Sequence, residues 1–170
     1  RDAALMCFGS IMDGPESSLL MTLVTQALPT VLETLHDSSA AVKDTTAWTL
    51  GRMCEFVHDA ITPDMHLGAL IHALLGSLHD EPRIVTHSCW ALINLTEHKG
   101  ILASLDDPDP PTTALSPYFE TIAAQLMQVT DRATNESNSR TSAYEALAST
   151  VANSASDCLN QVSTVLVHIL

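Results

Sequence analysis

Apolar residues recur at intervals of three and four along eight stretches of this chain, and that spacing is typical of amphipathic helices. The stretches alternate between two kinds, which we predict to be the first and second helices of antiparallel pairs. The predicted first helices cover residues 23–36, 65–78, 118–130 and 158 onward, and the predicted second helices cover 2–12, 42–57, 85–98 and 140–153. Pro29 lies inside one first helix, where its missing N–H predicts a kink.

One order of residues occurs repeatedly. An apolar helix end is followed by a His-Asp pair, a short turn and a helix with a tryptophan, first from His36 to Trp48 and again from His79 to Trp90. The step from Trp48 to Trp90, which we call the repeat period, falls within the range of HEAT and armadillo repeats, roughly 40–47 residues. Tyr144 takes the same place in a further copy, but the step from Trp90 to Tyr144 is longer than the repeat period. The difference between the two steps indicates an insertion of about twelve residues.

The repeats predict an all-α fold, an α-solenoid in which HEAT helix pairs stack into a right-handed superhelix. We expect about four repeats, truncated at both ends, because the chain begins in a second helix and ends in a first helix. The predicted units are 1–14, 19–59, 64–100, 117–154 and 157–170, with an inter-repeat loop at 101–116. Residues 106–111 of that loop read Asp-Asp-Pro-Asp-Pro-Pro, a segment that cannot continue a helix.

The net charge and the motif content limit the classes of function that the sequence is consistent with. Twenty acidic residues against seven basic ones give a formal net charge of −13. This excess disfavours binding to phosphate backbones, so we predict a basic protein partner and no nucleic acid. Catalytic motifs, metal-ligand spacings and glycine-rich phosphate loops do not occur in the sequence. We therefore predict that the protein is not an enzyme, and we assign no catalytic, cofactor-binding or metal residues.

The cysteines and the hydropathy bear on the compartment. Four cysteines stand far apart without any CxxC pair, and we interpret them as free thiols in a reducing compartment. No signal peptide opens the sequence, and polar residues interrupt the longest apolar runs. We predict a soluble protein with no membrane-spanning segment.

The predicted second helices contain a recurring pair of an aromatic and an acidic residue. Trp48 is followed seven residues later by Glu55, and Trp90 seven later by Glu97, while Asn94 lies four after Trp90. Seven residues make two helical turns, so each carboxylate shares a face with its tryptophan. Stacked repeats would turn these pairs into parallel aromatic and acidic rows. Such rows suit an extended basic peptide, with Lys or Arg stems on indole and charged ends on carboxylates.

Three other residues follow the same register, and Asp44 is added as a first-turn acid. Met6 and Asp13 take the aromatic and acidic places one repeat earlier, and Tyr144 takes the tryptophan place in the last complete copy. Asp44 lies at the start of a second helix, where it favours the helix dipole and could also contact a ligand. The predicted peptide-binding set is Trp48, Glu55, Trp90, Asn94, Glu97, Asp13, Asp44 and Tyr144.

Burial of the tryptophans in the core is the alternative, and spacing alone gives it about even weight. The apolar stripe of the helix with Trp48 consists of Leu50, Met53, Cys54 and Val57, which leaves Trp48 beside the stripe. Its neighbours Thr45, Thr46, Thr49 and Arg52 are polar. That polar set favours an exposed position for the ring.

At these residues the chain resembles the importin β (karyopherin-β) family of nuclear transport receptors, with a fungal-like pattern, over nearly its whole length. The matching segments are Arg1-Asp2-Ala3-Ala4, Phe8-Gly9, Gly14-Pro15, Gln26-Ala27-Leu28-Pro29, Asp44-Thr45-Thr46-Ala47-Trp48-Thr49-Leu50-Gly51-Arg52 and Ser142-Ala143-Tyr144-Glu145-Ala146-Leu147. The resemblance implies the central repeats of a longer receptor that shuttles between cytoplasm and nucleus through the nuclear pore, at the nuclear envelope.

The resemblance also implies partners. Members of the family bind the arginine-rich importin-β-binding segment of importin α, or cargo signals directly, on their inner helices. For the full-length receptor it implies Ran GTPase and FG nucleoporins, with no membrane partner. By family pattern, Trp48, Glu55, Trp90 and Glu97 occupy inner positions. The competing hypothesis is a HEAT scaffold that packs against a folded partner without recognising a peptide.

Overall fold

Eight α-helices make up the protein in the computed structural model, which describes residues 1–100, 107, 110–132 and 137–169, with side chains through residue 167. They are α1 (Asp2–Ser10), α2 (Ser17–Glu33), α3 (Ala40–Phe56), α4 (Gly68–Ser77), α5 (Pro82–Lys99), α6 (Phe119–Asp131), α7 (Ser137–Ala152) and α8 (Leu159–Ile169). Short 3-10 turns flank several of them, and a π-helical turn at Pro63–Leu67 leads into α4. Strands are absent from the described ranges.

The helices form two layers. In the second-helix layer, α1 packs on α3, α3 on α5 and α5 on α7. In the first-helix layer, α4 packs on α6 and α6 on α8. Each of α2, α4 and α6 also packs on the second helix that follows it in the chain. This stack of antiparallel pairs confirms the predicted all-α solenoid.

The observed helices differ from the predicted ones mainly at their beginnings. Helix α2 begins at Ser17, earlier than the predicted residue 23, and it contains the exposed Pro29 as expected. Within the predicted loop at 101–116, residues 101–106 and 108–109 lie outside the described residues. Pro110, at the described end of the loop, is buried and its carbonyl accepts the N–H of Ser156, so this end of the loop packs against the turn before α8.

A continuous apolar core lies between the two layers. The predicted stripe of α3 is confirmed, since its four members are at most 1% exposed. They are Leu50, Met53, Cys54 and Val57. Hydroxyl pairs seal the same interface: Thr34 bonds Thr46 at 2.8 Å, and Ser77 bonds Ser88 at 2.7 Å one repeat later. Each hydroxyl also lies within hydrogen-bond distance of a carbonyl three or four residues earlier. In each pair one hydroxyl can donate to its carbonyl while the other donates to that hydroxyl, so these small polar residues are buried or half-buried at low cost.

The recurring His-Asp pair has a structural explanation. Both carboxylate oxygens of Asp80 accept hydrogen bonds from Nζ of Lys43 on the preceding second helix, at 2.6 and 2.7 Å. Asp37 forms the equivalent ion pair with Arg1 and also accepts the backbone N–H of Ser39. These hydrogen bonds, first that of Ser39 and then that of Arg1, lower the pKa of Asp37. The aspartate of each turn thus ties one repeat to the next.

The expectation that polar residues interrupt every long apolar run is not met by α2. Together with the 3-10 turn after it, α2 makes a 20-residue helical stretch, Ser17–His36, that is long and apolar enough to cross a membrane by length and composition. The interruptions seen in the sequence are too mild to exclude it. One face of this helix is nevertheless committed to the core, where Val24, Leu28 and Val31 are at most 5% exposed. Core helices of water-soluble proteins pass the same test of length and composition.

Candidate functional site

Each tryptophan lies across a glycine of the preceding second helix. A Cβ on Gly9 would fall 2.4 Å from Cζ3 of Trp48, and a Cβ on Gly51 would fall 2.3 Å from Cε3 of Trp90. Ordinary contacts of a Cβ are longer than 3.4 Å. The absence of a side chain therefore lets each ring settle into the joint between two repeats. Both rings are half-buried, with one part in the joint and one part open to solvent.

Tyr144 occupies the tryptophan place on α7 without this support. The residue that takes the glycine place before it is Ile93, which follows Gly51 by one repeat period. A branched side chain there leaves no recess for a ring. Tyr144 accordingly stands outward and is 44% exposed.

The side chain of Arg52, on the same helix as Trp48, contacts the surface around this tryptophan. The guanidinium carbon of Arg52 lies 5.8 Å from the ring centroid of Trp48 and 4.3 Å from that of Phe56. Its nitrogens reach Asp13 at 3.4 Å and Glu55 at 3.9 Å. Its Nε also donates to the carbonyl of Gly9 at 3.4 Å. A single side chain thus links the aromatic and acidic rows.

Two residues of the predicted acidic row lie on the second helices, and the third lies in a turn. Glu55 is half-buried and Glu97 is exposed, each on the second helix of its tryptophan. Asp13 does not share a helical face with Met6, because α1 ends at Ser10. It reaches the row from the turn instead, through its contact with Arg52. Met6 is exposed on α1.

Two predicted ligand residues are occupied within the chain. Asn94 is buried, and its Nδ2 donates to the carbonyl of Gly51 at 3.4 Å. Asp44 contacts Arg83 and His87, one through each carboxylate oxygen and both at 2.9 Å. These side chains join α3 to α5, so both stabilise the packing of one repeat on the next.

The inference from polar neighbours was wrong. Thr45, Thr46 and Thr49 are all buried, at 6%, 0% and 0% exposure. Thr45 donates to Asp2, and Thr49 donates to the carbonyl of Leu5 at 3.1 Å. Thr45 and Thr49 are tolerated because they bond across the joint between α1 and α3. Thr46 is tolerated because it bonds Thr34. The half-exposure of Trp48 comes from the geometry of the joint and not from a polar face.

Sequence reasoning missed three contributors to this surface. Gly9 and Gly51 are aligned by the repeat period, but their use as seats for the rings was not predicted. The signal was available, because the interval from Gly9 to Trp48 equals the interval from Gly51 to Trp90. Arg52 was counted only as a polar neighbour. Its place four residues after Trp48 and three before Glu55 puts it on the same helical face.

A second cluster lies where α3 and α5 end. The rings of His58 and His98 stack with centroids 4.0 Å apart and planes inclined by 5°. Burial, and next the neighbouring His58, lowers the pKa of His98, while burial lowers the pKa of Lys99. Across the described ranges, no group of three or more His, Cys, Asp or Glu side chains is placed to hold a metal ion.

Two layers of stacked helix pairs with a half-open aromatic row define a helical-repeat solenoid of the HEAT type. Residues 1–53 match a family model described as "HEAT-like repeat", and residues 69–170 match one described as "Importin subunit beta-1-like, TPR repeats". The chain belongs to the importin β family.

Relatives among known proteins agree with this. The chain is 44% identical over 170 residues to importin subunit beta-1 of Schizosaccharomyces pombe, covering 100% of this chain and 19% of that protein. Identity to importin subunit beta-1 of Saccharomyces cerevisiae is 38% over 163 residues, covering 96% and 18%. The chain therefore spans about a fifth of the length of these relatives.

Solved structures show the same architecture. A crystal structure of importin beta in an ammonium sulfate condition matches 99% of this chain and 19% of that chain, with a TM-score of 0.92 and 37% identity. A Kap95:Nup1 complex matches with a TM-score of 0.85 and 35% identity, over 96% and 18%. A structure of Kap95p with RanGDP matches with a TM-score of 0.85 and 36% identity, over 96% and 18%.

Proposed function

We propose that the second-helix layer of this chain binds extended basic segments as part of a nuclear import receptor. The segments are Lys/Arg-rich import signals or the importin-β-binding segment of importin α. Half-open indoles would hold the aliphatic stems of basic side chains, and the acidic row would receive their charged ends.

The observation that carries the proposal is the placement of Arg52. Its guanidinium fits between the rings of Trp48 and Phe56 and the carboxylates of Asp13 and Glu55, at 3.4 to 5.8 Å from each. A site that accepts a guanidinium from its own helix has the shape and charge to accept one from a peptide. Cation–π contacts of this kind contribute about 0.5–2 kcal/mol each, depending on desolvation.

The aromatic and acidic positions of this arrangement recur around Trp90 one repeat later. Glu97 follows Trp90 as Glu55 follows Trp48, and the repeat period places Glu55 beside α5 as Asp13 lies beside α3. By this register, Glu55 and Glu97 would lie on either side of the second indole. An extended peptide that crosses both repeats would find a ring and an acid in each.

The net charge of the chain supports a basic ligand over an acidic one. With a formal charge of −13, the surface attracts cationic segments over a distance of about 10 Å at 0.1 M salt, and it repels anionic ones. Attraction of this kind speeds association and weakens as the salt concentration rises.

The rest of the receptor would supply transport. Kap95, a relative in the solved structures, occurs in a complex with Nup1 and in a structure with RanGDP. By this likeness the full-length protein would bind nucleoporins and Ran and would shuttle between cytoplasm and nucleus. This chain would form one cargo-binding section along the length of that receptor.

Charge variants test the proposal. The double variant Glu55→Gln/Glu97→Gln should bind a fluorescent Lys/Arg-rich peptide roughly threefold to thirtyfold more weakly, because exposed charge pairs contribute up to about 1 kcal/mol each. Glu33→Gln/Glu120→Gln is the matched control, since these residues are exposed on the first-helix layer and carry the same charge change. Fluorescence anisotropy over a series of salt concentrations gives the affinities.

The control separates the two hypotheses. Equal weakening in both double variants would mean that only net charge matters, and it would contradict a site on the second-helix layer. A peptide that does not bind the folded wild-type protein at any salt concentration would favour the HEAT scaffold that packs against a folded partner.

A further inference from the structure

Arg52 makes the surface around Trp48 different from the surface around Trp90, although the two repeats are alike. Its side chain is only 18% exposed and is held by two rings, two carboxylates and a backbone carbonyl. It therefore occupies the position between Trp48, Phe56 and the two carboxylates, while Trp48 itself stays half-buried. A peptide side chain cannot take the same place while the guanidinium stays there.

The corresponding residue beside Trp90 is Asn94, which is neutral and buried. Its amide donates to the carbonyl of Gly51 as the Nε of Arg52 donates to Gly9, so the backbone contact is kept while the charge is missing. Phe56, which stacks on Arg52, is replaced in the register by His98. No cation of the described residues lies within ion-pair distance of Glu97.

We infer that Arg52 is an intramolecular competitor that occupies the guanidinium position at Trp48, so that a basic peptide anchors first on Trp90 beside Glu97. The inference rests on the proposed function and deepens it by ranking the two binding positions. Engagement of Trp48 requires the guanidinium to leave its rings and carboxylates, and a peptide arginine takes over these contacts.

This exchange has a chemical consequence for selectivity. A guanidinium stacks on rings and meets carboxylates in a planar fork, which an ammonium group cannot reproduce. Displacing Arg52 therefore favours an incoming arginine over a lysine at Trp48. The Trp90 surface has no such competitor among the described residues and should accept either residue.

Replacement of Arg52 by Gln tests the competition. The variant should bind an Arg-rich peptide about threefold to tenfold more tightly than the wild type, which corresponds to about 0.7–1.4 kcal/mol. Arg83→Gln is the matched control, because Arg83 carries the same charge but pairs with Asp44 away from the rings. The control should gain less than twofold, and an equal gain in both variants would overturn the inference.

A second measurement uses the wild-type protein and does not depend on how the variant folds. The chain has two tryptophans, so its indole N–H region in an NMR spectrum contains two signals. During a titration with the Arg-rich peptide, the Trp90 signal should move at lower peptide concentration than the Trp48 signal. A Trp48 signal that moves first, or together with that of Trp90, would overturn the inference.

The two measurements also separate this inference from the proposed function. Failure of the proposed function would leave both indole signals unmoved at saturating peptide. Failure of the inference alone would move both signals while Arg52→Gln and Arg83→Gln bind alike.

Discussion

Replacing Gly51 with alanine perturbs the joint that seats Trp90. The new Cβ would lie 2.3 Å from Cε3 and 2.4 Å from Cζ3 of the ring, where ordinary contacts are longer than 3.4 Å. The ring has to retreat by about 1 Å or more, since carbon atoms repel each other well inside about 3.5 Å. The helix backbone cannot yield as easily, because α3 packs between α1 and α5.

Two opposing effects set the magnitude. Overpacking of this kind destabilises proteins by about 1–3 kcal/mol. Alanine in place of glycine in a helix stabilises by up to about 1 kcal/mol. From the midpoints of these two ranges, the free energy of unfolding of Gly51→Ala should fall by about 1.5 kcal/mol. Part of the loss would come from apolar ring surface returned to water at about 25 cal/mol per Å².

Urea unfolding followed by circular dichroism measures this difference. Gly76→Ala is the matched control, because Gly76 lies exposed in α4 and a Cβ there meets nothing within 4 Å. The control should be as stable as the wild type or up to about 1 kcal/mol more stable. In a Trp90→Leu background the penalty of Gly51→Ala should shrink. Equal or higher stability of Gly51→Ala in the wild-type background would refute the proposed seating of the ring.

Thiol reactivity and pH dependence test other parts of the structure. At neutral pH a maleimide should modify exposed Cys7 in the folded protein but not Cys54 or Cys89, because burial raises the pKa of both to about 12. Mass spectrometry shows which sites react, and labelling of either buried thiol before unfolding would contradict the packing. Stability should decline as pH drops below about 6.5, because the pKa of His98 is lowered and the unfolded chain takes up the proton first. Urea unfolding of His98→Gln should show a shallower decline, and an identical pH profile would count against this assignment.

Much of the fold could be predicted from the sequence. Helical periodicity and the repeat period depend on local spacing, so they fix the number, order and pairing of the helices. The beginnings of α2 and α4 were less accurate. Apolar periodicity continues weakly before residue 23, and the π-helical turn at Pro63–Leu67 precedes the regular part of α4. Neither feature has a distinct pattern in a single sequence.

The candidate site could be predicted only in part. The aromatic and acidic rows follow from helical geometry, and the structure places Trp48, Trp90 and their glutamates on the second-helix layer. Contacts between repeats cannot be predicted from residue spacing, because they depend on how neighbouring helices pack. For that reason the partners of Asn94 and Asp44 were missed.

The Trp48→Ala/Trp90→Ala double variant tests the central claim most directly. Both indoles are half-buried, so a melting curve first establishes that the variant is folded, and Trp48→Leu/Trp90→Leu replaces it if the alanines unfold the chain. Affinity for a fluorescent Arg/Lys-rich peptide at fixed salt should fall by about 1–4 kcal/mol, since each ring contributes about 0.5–2 kcal/mol. That is a loss of roughly fivefold to several hundredfold. Unchanged affinity in a folded variant without either indole would contradict the account.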